Sequence, residues 1–468
     1  MRAGDATWAG GGPRIATIGN GGQKRKGAPP AAVRAVRVRT GVPGAPARLP
    51  SHPQRSPPLA AAPNVNADPE PSARAPLLRG NVLWLSAVSF LNDAASEMIY
   101  PLLPLFLTGS MGVGAAFVGA VEGAAESLSS LLKLASGWAA DRFGRRHALV
   151  VWGYGIAALG RPLIAAASGA WQVLAVRLLD RVGKGLRSAP RDAILAESVS
   201  HARRGEAFGI HRAADHAGAV AGPLLATGVL LLFPGDMRLV FALALVPGLL
   251  AVAVAAWRVR DPRPVAPPKP AQPVPELRFS GLGSRFPRLL GVLALFALGN
   301  ASDAFLLLRA QQLGVATALI PLLWGVLHVS KSFWSVVGGR LSDRTGARGA
   351  ITAGWAVYAL VYAGFAVAGA PWQAWALFLV YGLFYGLTEA PEKALVAALA
   401  PEGARGRAFG AYHFTVGIVA LPASLLFGMV WDAFGAATAF YVGAGLAAAA
   451  ALLLPLALAS GPVSDSAV

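Results

Sequence analysis

Four acidic side chains stand out because they lie inside long apolar stretches, where a charge is costly. Asp93 and Glu97 are four residues apart in the first such stretch, and Glu122 and Glu126 are four apart in the second. Residues four apart share one face of an α-helix. Burial raises the pKa of a carboxyl group and a nearby arginine lowers it, so carboxyl groups in such places can take up and release a proton. We therefore treat these four as candidate proton carriers.

A basic stripe is predicted in the fourth apolar stretch. Arg177, Arg181, Lys184 and Arg191 are spaced by 4, 3 and 7 residues, which places them on one face of a helix. A charge at the centre of a bilayer costs on the order of 3 kcal/mol or more, so this face should meet the four carboxyl groups or a wet cavity rather than lipid. Such a face can bind an anionic solute. The alternative is a structural network of ion pairs, although buried pairs are weak stabilisers.

Other polar groups recur along the apolar stretches and are expected to line the same cavity. Together with the basic stripe, the cavity candidates are Asn92, Arg177, Arg181, Lys184, Arg212, Asp215, Asn300, Asp303 and Glu389. The same stretches hold Glu392, Lys393, Trp324, Trp334, Tyr381 and Tyr385, of which the aromatic side chains are more often packing or interface anchors. Asp180, Arg187 and Asp192 lie off the basic stripe.

Several kinds of chemistry are excluded by the residue types. The chain has no cysteine, which rules out disulfides, thiol catalysis, and Cys-ligated zinc or iron–sulfur centres. His211, His328 and His413 lack the spacing of a metal site. There is no nucleotide-binding glycine motif and no defensible Ser/His/Asp set, so we expect neither an enzyme nor a bound cofactor. The energy for any transport must then come from a transmembrane gradient, here a proton gradient.

The elements that must position these groups are apolar segments of membrane-spanning length. Hydrophobic residues make up 55% of the 468 residues and charged ones only 14%, whereas a soluble domain carries about 25%. A spanning helix needs about 20 residues. Twelve such segments are predicted, near 82–107, 113–139, 148–168, 171–197, 206–232, 239–257, 287–309, 316–340, 350–369, 372–398, 407–431 and 437–459. The chain is therefore predicted to be an all-α polytopic membrane protein that sits in a lipid bilayer.

Charge alternates between the connections, and this pattern predicts the topology. Arginine and lysine follow the second, fourth, sixth, eighth and tenth spans, whereas the intervening loops carry almost none. The positive-inside rule then places both termini and the even-numbered loops in the cytoplasm. The net charge of +18 lies largely in these loops and in the N-terminal tail rather than in a basic groove. Nucleic acid is therefore not an expected partner.

Domain boundaries follow from composition and from an internal repeat. Residues 1–79 form a basic, Pro/Ala/Gly-rich tail that is predicted to be disordered, and 461–468 form a short tail. Residues 258–286 are basic and Pro-rich and are predicted to be a cytoplasmic linker. The remaining segments, 80–257 and 287–460, match each other at an offset of about 201 residues and are predicted to be two six-helix bundles. Parallel six-span repeats of this kind describe one transporter architecture.

Two motifs rich in glycine and arginine carry the repeat. Gly137-x-x-x-Asp141-Arg142-x-Gly144-Arg145-Arg146 follows the second span, and Gly339-x-x-x-Asp343-Arg344-x-Gly346 follows the eighth. Both resemble the loop 2–3 signature of the major facilitator superfamily, and the resemblance covers roughly residues 82–460. It implies two six-helix bundles and secondary transport by alternating access, and the chain looks like a prokaryotic branch of undefined substrate, which implies the inner (plasma) membrane of a prokaryote. In the fifth span, Gly218-x-x-x-Gly222-Pro223 resembles the core of the motif found in proton-coupled antiporters.

The resemblance also implies a gate. Gly137 lets a neighbouring helix pack closely, and Asp141 can then accept hydrogen bonds from the exposed N–H groups at a helix N-terminus, where the helix dipole favours an anion. In the family that the chain resembles, this partner is the start of the eleventh span, here near 405–409. We expect a cytoplasmic latch that holds the outward-facing state. The alternative is a cluster of positive charges that serves only to set topology.

Together these features predict a monomeric, proton-coupled secondary transporter that exports a small organic solute, with the basic stripe favouring an anion or a zwitterion. Two alternatives stay open. The first is an importer or uniporter of an organic anion, in which the charged groups serve only the substrate. The second is a non-transporting sensor on the same scaffold, against which the paired latch motifs argue.

Overall fold

The computed structural model describes residues 77–143, 146–262, 283, 285–401 and 404–459, with side chains except at 133–143 and 343. Every regular element in this part of the chain is helical, as the sequence predicts. Nearly all of the predicted N-terminal tail, most of the linker and all of the C-terminal tail lie outside the described residues, so the boundaries assigned to them stay predictions.

Twelve helices of membrane-spanning length are described, close to the twelve predicted spans. They are α1 (Gly80–Ile99), α2 (Ala115–Phe143), α3 (Arg146–Ala166), α4 (Ala170–Glu197), α5 (Arg204–Leu232), α6 (Met237–Arg258), α7 (Arg285–Gln312), α8 (Thr317–Ser342), α9 (Arg344–Val367), α10 (Pro371–Leu399), α11 (Arg405–Phe434) and α12 (Ala436–Ala457). Short turns extend α1 to Ser110. Helices α1–α6 form the N-terminal half and α7–α12 the C-terminal half.

Length and apolarity are consistent with a multi-pass membrane protein. Eight of the described helices are long and apolar enough to cross a membrane. The other four, α1, α2, α4 and α10, are 20–29 residues long and carry charged side chains, which lower their hydropathy. Large apolar side chains such as Leu232, Trp257, Leu360 and Leu452 are exposed. A surface of this kind fits lipid better than water.

Proline and glycine set the breaks in these helices. The chain tightens to a narrower turn at Tyr100–Leu102, where Pro101 has no N–H to donate. Helix α7 is interrupted between Gly299 and Ala304. Between α8 and α9 the chain turns at Gly346, whose φ of +77° is a conformation that favours glycine. The breaks in α1 and α7 fall at similar places in the two halves and bring polar groups to the interior.

Glycine residues let helices within each half approach closely. Gly222 of α5 faces α1, and a β-carbon added there would lie 3.0 Å from the amide nitrogen of Met98. Gly218, one turn earlier, also faces the backbone of α1, so these two glycines of the fifth-span motif serve helix packing in this structure. In the C-terminal half, Gly386 of α10 packs against the backbone of Trp334 in α8.

The interiors of the two halves differ in composition. In the N-terminal half, charged side chains are buried among the apolar ones, namely Glu122, Arg161, Arg177, Asp180 and Arg187. In the C-terminal half the largest buried side chains are aromatic, namely Phe286, Phe305, Trp355, Tyr358, Tyr362, Phe365, Phe378, Tyr381 and Phe440. Tyr358 and Tyr362 stack with ring centroids 4.1 Å apart. The site described next lies between these two interiors.

Candidate functional site

The loops distinguish the two ends of the helix bundle. The basic-loop end carries the arginine-rich connections α2–α3, α4–α5, α8–α9 and α10–α11, and the short-loop end carries the others. At the short-loop end, Asp432 of α11 accepts hydrogen bonds from the backbone N–H groups of Ala115 and Ala116 at the start of α2, both at 2.8 Å. The first amides of a helix have no partner within it. A carboxylate of one half therefore satisfies the helix terminus of the other.

Deeper between the halves, Glu97 of α1 contacts α8. The indole Nε1 of Trp324 donates a hydrogen bond of 2.8 Å to Glu97 Oε2, and His328 Nε2 lies 3.8 Å from the same oxygen. The ring of Tyr100 packs on that of Trp324 with centroids 4.9 Å apart. These side chains join the two halves on the short-loop side of the open part of the cavity.

Helices α2 and α11 also touch along their length. Gly123 of α2 packs so closely that a β-carbon there would lie 2.8 Å from Cα of Leu421. One turn further, Ser127 Oγ donates to the carbonyl oxygen of Gly417 at 2.6 Å and accepts from the N–H of Leu421 at 3.1 Å. An uninterrupted α-helix joins such a carbonyl and amide to each other. A hydroxyl of one half thus bridges two backbone groups of the other.

Toward the basic-loop end, the side chains between the halves are exposed. Arg212 is 66% and Glu389 45% exposed, and the two lie close enough to interact electrostatically across the gap. Glu126 is exposed as well. A cavity of about 230 Å³ lies against the C-terminal half in this region, and its polar lining consists of Asn300, Lys331, Tyr385, Thr388, Glu389, Glu392, Lys393 and Tyr412.

In the N-terminal half, carboxylates are paired with arginines. Arg177 donates from Nε and Nη2 to the two oxygens of Glu122, at 3.0 and 2.9 Å, so the basic stripe and the acids of α2 do meet. Arg177 Nη1 also lies 3.8 Å from Asp180, which accepts from Nε of Arg161 at 2.9 Å. Arg161 Nη2 in turn donates to Oδ1 of Asn92 at 3.1 Å. The four charged members of this chain of contacts are buried.

Asn92 lies at a junction of this network. Besides Arg161, Arg187 donates to its amide oxygen at 3.3 Å, and its own Nδ2 donates to Asp93 at 2.9 Å. The guanidinium of Arg187 also lies over the ring of Tyr154, 4.5 Å from its centroid. Asn92, a predicted cavity residue, is thus buried and accepts hydrogen bonds from two arginines, neither of which belongs to the predicted stripe.

The rest of the basic stripe lies near Asp93 and Asp215. Asp215 accepts from Ser89 Oγ, and His211 and Arg212 lie 3.9 and 3.8 Å from its oxygens. Lys184 lies close enough to Asp93 to interact with it electrostatically. The buried Nε of Arg181 has no hydrogen-bond partner among the described residues. Arg191 pairs with Asp192 at 2.8 Å.

In the C-terminal half, hydroxyl groups hold Asp303. It lies at the break in α7, where Tyr381 and Tyr385 donate to its two oxygens at 2.8 and 2.5 Å. Lys331 Nζ lies 4.0 Å from the ring centroid of Tyr385 and 3.5 Å from Glu389. The aromatic residues of α10 therefore serve both the packing of this half and its polar site.

Glu392 of α10 is held in a similar way. Tyr412 donates to Oε2 at 2.9 Å and Trp355 Nε1 to Oε1 at 3.3 Å. Among the described residues, neither Glu392 nor Asp303 forms an ion pair with an arginine or lysine. Asn300 lines the cavity beside Glu392, as the sequence predicts for a polar group at this position.

Two central residues were missed by the sequence analysis. Arg161 was not selected because it sits near the predicted end of the third span, although a lone arginine in an apolar segment is itself a signal. Glu392 was noted but not selected as a site residue, since nothing in the sequence shows that Tyr412 and Trp355 approach it. Over the described ranges, no three His, Asp or Glu side chains are placed to hold a metal ion.

The predicted latch lies partly outside the described residues. Gly137, Asp141 and Arg142 belong to the helical end of α2, but their side chains are not described, nor is that of Asp343; Gly144 and Arg145 lie outside the described residues. Arg146 pairs with Glu197 of α4 at 2.8 Å. Arg344 is exposed, and nothing lies within 4 Å of a β-carbon placed on Gly339. The latch therefore stays a prediction.

Comparison with known proteins agrees with this architecture. The family model of the Major Facilitator Superfamily matches residues 85–423. The chain is 33% identical over 387 residues to the uncharacterized MFS-type transporter MJ1317 of Methanocaldococcus jannaschii, which covers 81% of this chain and 94% of that protein. It is 31% identical over 160 residues to the multidrug resistance protein MdtH of Escherichia coli O9:H4, which covers 34% of this chain and 39% of that protein.

Solved structures show the same fold. The nucleoside transporter NupG superposes with a TM-score of 0.68 at 14% identity, over 81% of this chain and 100% of that chain. A POT family transporter in complex with 5-aminolevulinic acid superposes with a TM-score of 0.68 at 12% identity, over 81% and 96%. Fold, family model and a relative matched over nearly its whole length agree, and the chain therefore belongs to the major facilitator superfamily, a family of membrane transporters and not of enzymes.

Proposed function

We propose that this protein exchanges a small organic solute for protons by alternating access, with Glu97 as the central coupling group. The observation that carries the proposal is the contact of Glu97 in α1 with Trp324 and His328 in α8. A titratable carboxyl group thus joins the two halves that must separate during transport. A proton bound there can change the contact between the halves directly.

The physical effect of that proton is loss of charge. An ionised Glu97 accepts a charge-assisted hydrogen bond from Trp324 and attracts a protonated His328, whereas the neutral acid does neither as strongly. Lys184 of α4 also interacts electrostatically with Glu97, and protonation of Glu97 weakens that attraction too. Proton binding therefore favours separation of α1 from α8 at the short-loop end.

The other three candidate carboxyls differ in their suitability. Asp93 lies one turn from Glu97 on α1 and shares the influence of Lys184, so it is suited to exchange protons with Glu97. Glu126 is exposed and can exchange protons with water in the cavity. Glu122 is the least suited, since its two oxygens are both occupied by Arg177 in a buried pair. We assign Glu122 to structure and the other three to proton movement.

The exposed cavity supports an anionic or zwitterionic organic substrate. Lys331 and Lys393 flank Glu389, and Arg212 faces them from the other half. The apolar part of the lining includes the aromatic side chains Phe296 and Phe384. Its volume of about 230 Å³ is below the roughly 300–1,000 Å³ of drug-sized ligand pockets, which favours a small solute.

The proposal also assigns the orientation of the protein in the membrane and the direction of transport. The positive-inside rule assigns the basic-loop end to the cytoplasm of an inner membrane, so the described conformation faces inward. One chain contains both halves of the cavity, which fits a monomer. The partial similarity to a protein named for multidrug resistance, together with the fifth-span motif, favours export.

Proton movement in proteoliposomes tests the proposal. A pH-sensitive dye inside the vesicles reports flux while organic anions, zwitterions, cations and neutral solutes are added outside. Substrate-dependent proton flux should fall to background in Glu97→Gln but persist in Glu206→Gln, a matched change of an exposed glutamate at the start of α5. Unchanged flux in Glu97→Gln, with both variants monodisperse, would remove Glu97 from the coupling mechanism.

A uniporter or importer of organic anions is the second candidate function. The observation that favours it is the group of cations around the cavity, Arg212, Lys331 and Lys393, which serve an anion whether or not protons move. Counterflow of a labelled organic anion in the absence of a pH gradient separates the two functions. Counterflow without proton movement in the wild type would favour the uniporter.

A further inference from the structure

An apolar crevice separates the two halves on one flank of the molecule. It has a volume of about 510 Å³ and lies between α5 of the N-terminal half and α8 and α10 of the C-terminal half. Its lining consists of Val220, Leu224, Leu322, Gly325, Val326, Val329, Ser330, Phe333, Trp334 and Leu379. At its inner edge, Gly325 of α8 approaches Pro223 of α5, with 3.5 Å from a β-carbon placed on the glycine to that of the proline.

On the other flank, the halves meet along the contact between α2 and α11, which we call the α2–α11 seam, and this contact is built differently. There, small residues bring the backbones of α2 and α11 into direct contact, as at Gly123 and Ser127, and polar groups bond across the seam. In the crevice the one hydroxyl, that of Ser330, already donates to the carbonyl oxygen of Leu379 at 2.6 Å. The α5–α8 seam therefore contains an open space, whereas the α2–α11 seam is closed by direct contacts.

Water is a poor occupant of this space. A bound water typically needs two to four polar partners, and the lining provides almost no polar surface. An unfilled space is also unfavourable, because the side chains around it lose dispersion contacts. The apolar walls therefore favour a hydrocarbon as the occupant of the crevice.

The surroundings identify the source of that hydrocarbon. Val329 and Phe333 are 56% and 61% exposed, and Leu224 and Leu379 are also exposed, so the walls of the crevice continue into the lipid-facing surface. We propose that an acyl chain of a membrane phospholipid lies in this crevice and fills the seam between α5 and α8. Because the two walls belong to different halves, the chain must shift or leave when the halves rock.

This lipid site is distinct from the proposed solute cavity. Lys331 of α8 lines the solute cavity, and Trp324 and His328 extend from the same helix toward Glu97. Gly325 and Val329, by contrast, line the crevice. The two sites therefore use different faces of the same helix. Occupancy of the crevice would hold the seam at its described width, which couples lipid binding to the conformation of the transporter.

Photo-crosslinking in vesicles tests the proposal. The full chain is reconstituted into vesicles of phosphatidylcholine and phosphatidylglycerol that contain a phospholipid with a diazirine in the middle of one acyl chain. After irradiation, mass spectrometry maps the labelled peptides. Residues 322–334 should be labelled about tenfold more than the exposed surface of α9 around Leu360, a ratio that corresponds to about 1.4 kcal/mol of preference.

Two matched tryptophan variants sharpen the test. Val329→Trp fills the crevice and should reduce labelling of 322–334 about tenfold, whereas Leu360→Trp, at another exposed leucine outside the crevice, should leave it unchanged. If Val329→Trp is not monodisperse, Leu224→Trp fills the space from the opposite wall.

Three outcomes would overturn the proposal. They are uniform labelling over α8 and α9, labelling of the crevice that survives both filling variants, and labelling by a diazirine free fatty acid but not by the phospholipid. None of these measurements depends on transport, so failure here is distinguishable from failure of the proposed exchange function.

Discussion

The two halves hold their intramembrane carboxyl groups by different means. In the N-terminal half, Glu122 and Asp180 are paired with Arg177 and Arg161. In the C-terminal half, neutral donors bond Asp303 and Glu392, as Tyr381 and Tyr385 do at Asp303, whereas the more exposed Glu389 is paired with Lys331. An arginine stays charged and holds its partner ionised, whereas a hydroxyl can donate to a carboxylate or accept from a carboxylic acid.

The difference separates structural acids from exchangeable ones. A buried acid that loses its charge beside an arginine leaves that cation unpaired, which is strongly unfavourable. An acid held by hydroxyl groups leaves no such charge behind when it is protonated. If the protein exchanges protons as proposed, the comparison predicts that Asp303 and Glu392 can also take up protons, on the side of the cavity where the sequence analysis placed no proton carriers.

The largest effect is expected from breaking the Glu122–Arg177 pair. Glu122→Gln removes the carboxylate that bonds the buried guanidinium of Arg177 at two atoms, and leaves it only Asp180, which is 3.8 Å away and already bonded to Arg161. This change should lower the free energy of unfolding by about 3–5 kcal/mol. SDS titration in mixed micelles measures it. Glu126→Gln, one turn further along α2 and exposed, should stay within about 0.5 kcal/mol of wild type. Equal losses of stability in the two variants would show that the Glu122–Arg177 pair contributes no more to stability than the exposed Glu126 does.

A smaller effect is expected from the matching change in the C-terminal half. In Glu392→Gln the amide oxygen can still accept from Tyr412 or Trp355, so the loss of stability should be about 1 kcal/mol. The same titration measures it, and the pH dependence of transport should change although stability hardly does. A loss as large as that of Glu122→Gln would remove the distinction between the halves.

Asp432 is held in a third way, because this carboxylate of the C-terminal half accepts hydrogen bonds from backbone N–H groups of the N-terminal half. Asp432→Ala leaves the N–H groups of Ala115 and Ala116 without a partner, at a cost of about 1 kcal/mol, while Asp432→Asn keeps an acceptor. Because the chain has no cysteine, Ser302→Cys supplies a single thiol at the partly buried break in α7, from which that helix continues to the short-loop end. Labelling of this thiol from that side should be faster in Asp432→Ala than in Asp432→Asn, and equal rates would contradict the role of the contact.

The smallest effect is expected at the α2–α11 seam. Ser127→Ala removes one hydroxyl that bonds to α11 and should destabilise the protein by about 0.5 kcal/mol, the lower end of the range for a single hydrogen bond. The control is Ser129→Ala on the same helix, because the buried hydroxyl of Ser129 has no hydrogen-bond partner among the described residues and its removal should cost no stability. A difference between the two variants, measured by the same SDS titration, would show that polar contact across this seam contributes to the closed short-loop end. No difference would leave close backbone packing as its main support.

Much of the fold could be predicted from the sequence because length and apolarity decide where a chain can cross a membrane. The twelve helices follow the predicted spans, and the break at Gly346 falls within the second glycine motif. The internal repeat, seen in the motifs around 137 and 339, predicts two halves as units, and that division stays a prediction. These features depend on local composition, which a single sequence carries.

The pairing of side chains was less predictable because it depends on helix rotation and tilt. The spacing on α4 correctly brought Arg177 to the acids of α2. It placed Asp180 off the basic face, yet Asp180 bonds Arg161 of α3 and lies 3.8 Å from Arg177. A carboxyl three residues along a helix can meet both its own helix and a neighbour, and only the tertiary arrangement decides which.

Under the proposed alternating access, the hydroxyl of Ser127 makes separation of α2 from α11 reversible at the level of a single side chain. While the two helices touch, it donates to the carbonyl of Gly417 and accepts from the amide of Leu421. Helix α11 continues through both residues, so this carbonyl and amide are spaced to bond to each other with or without the serine. Once the helices part, the serine can turn to the carbonyl of Gly123 on its own helix, and no backbone group is stranded in the membrane.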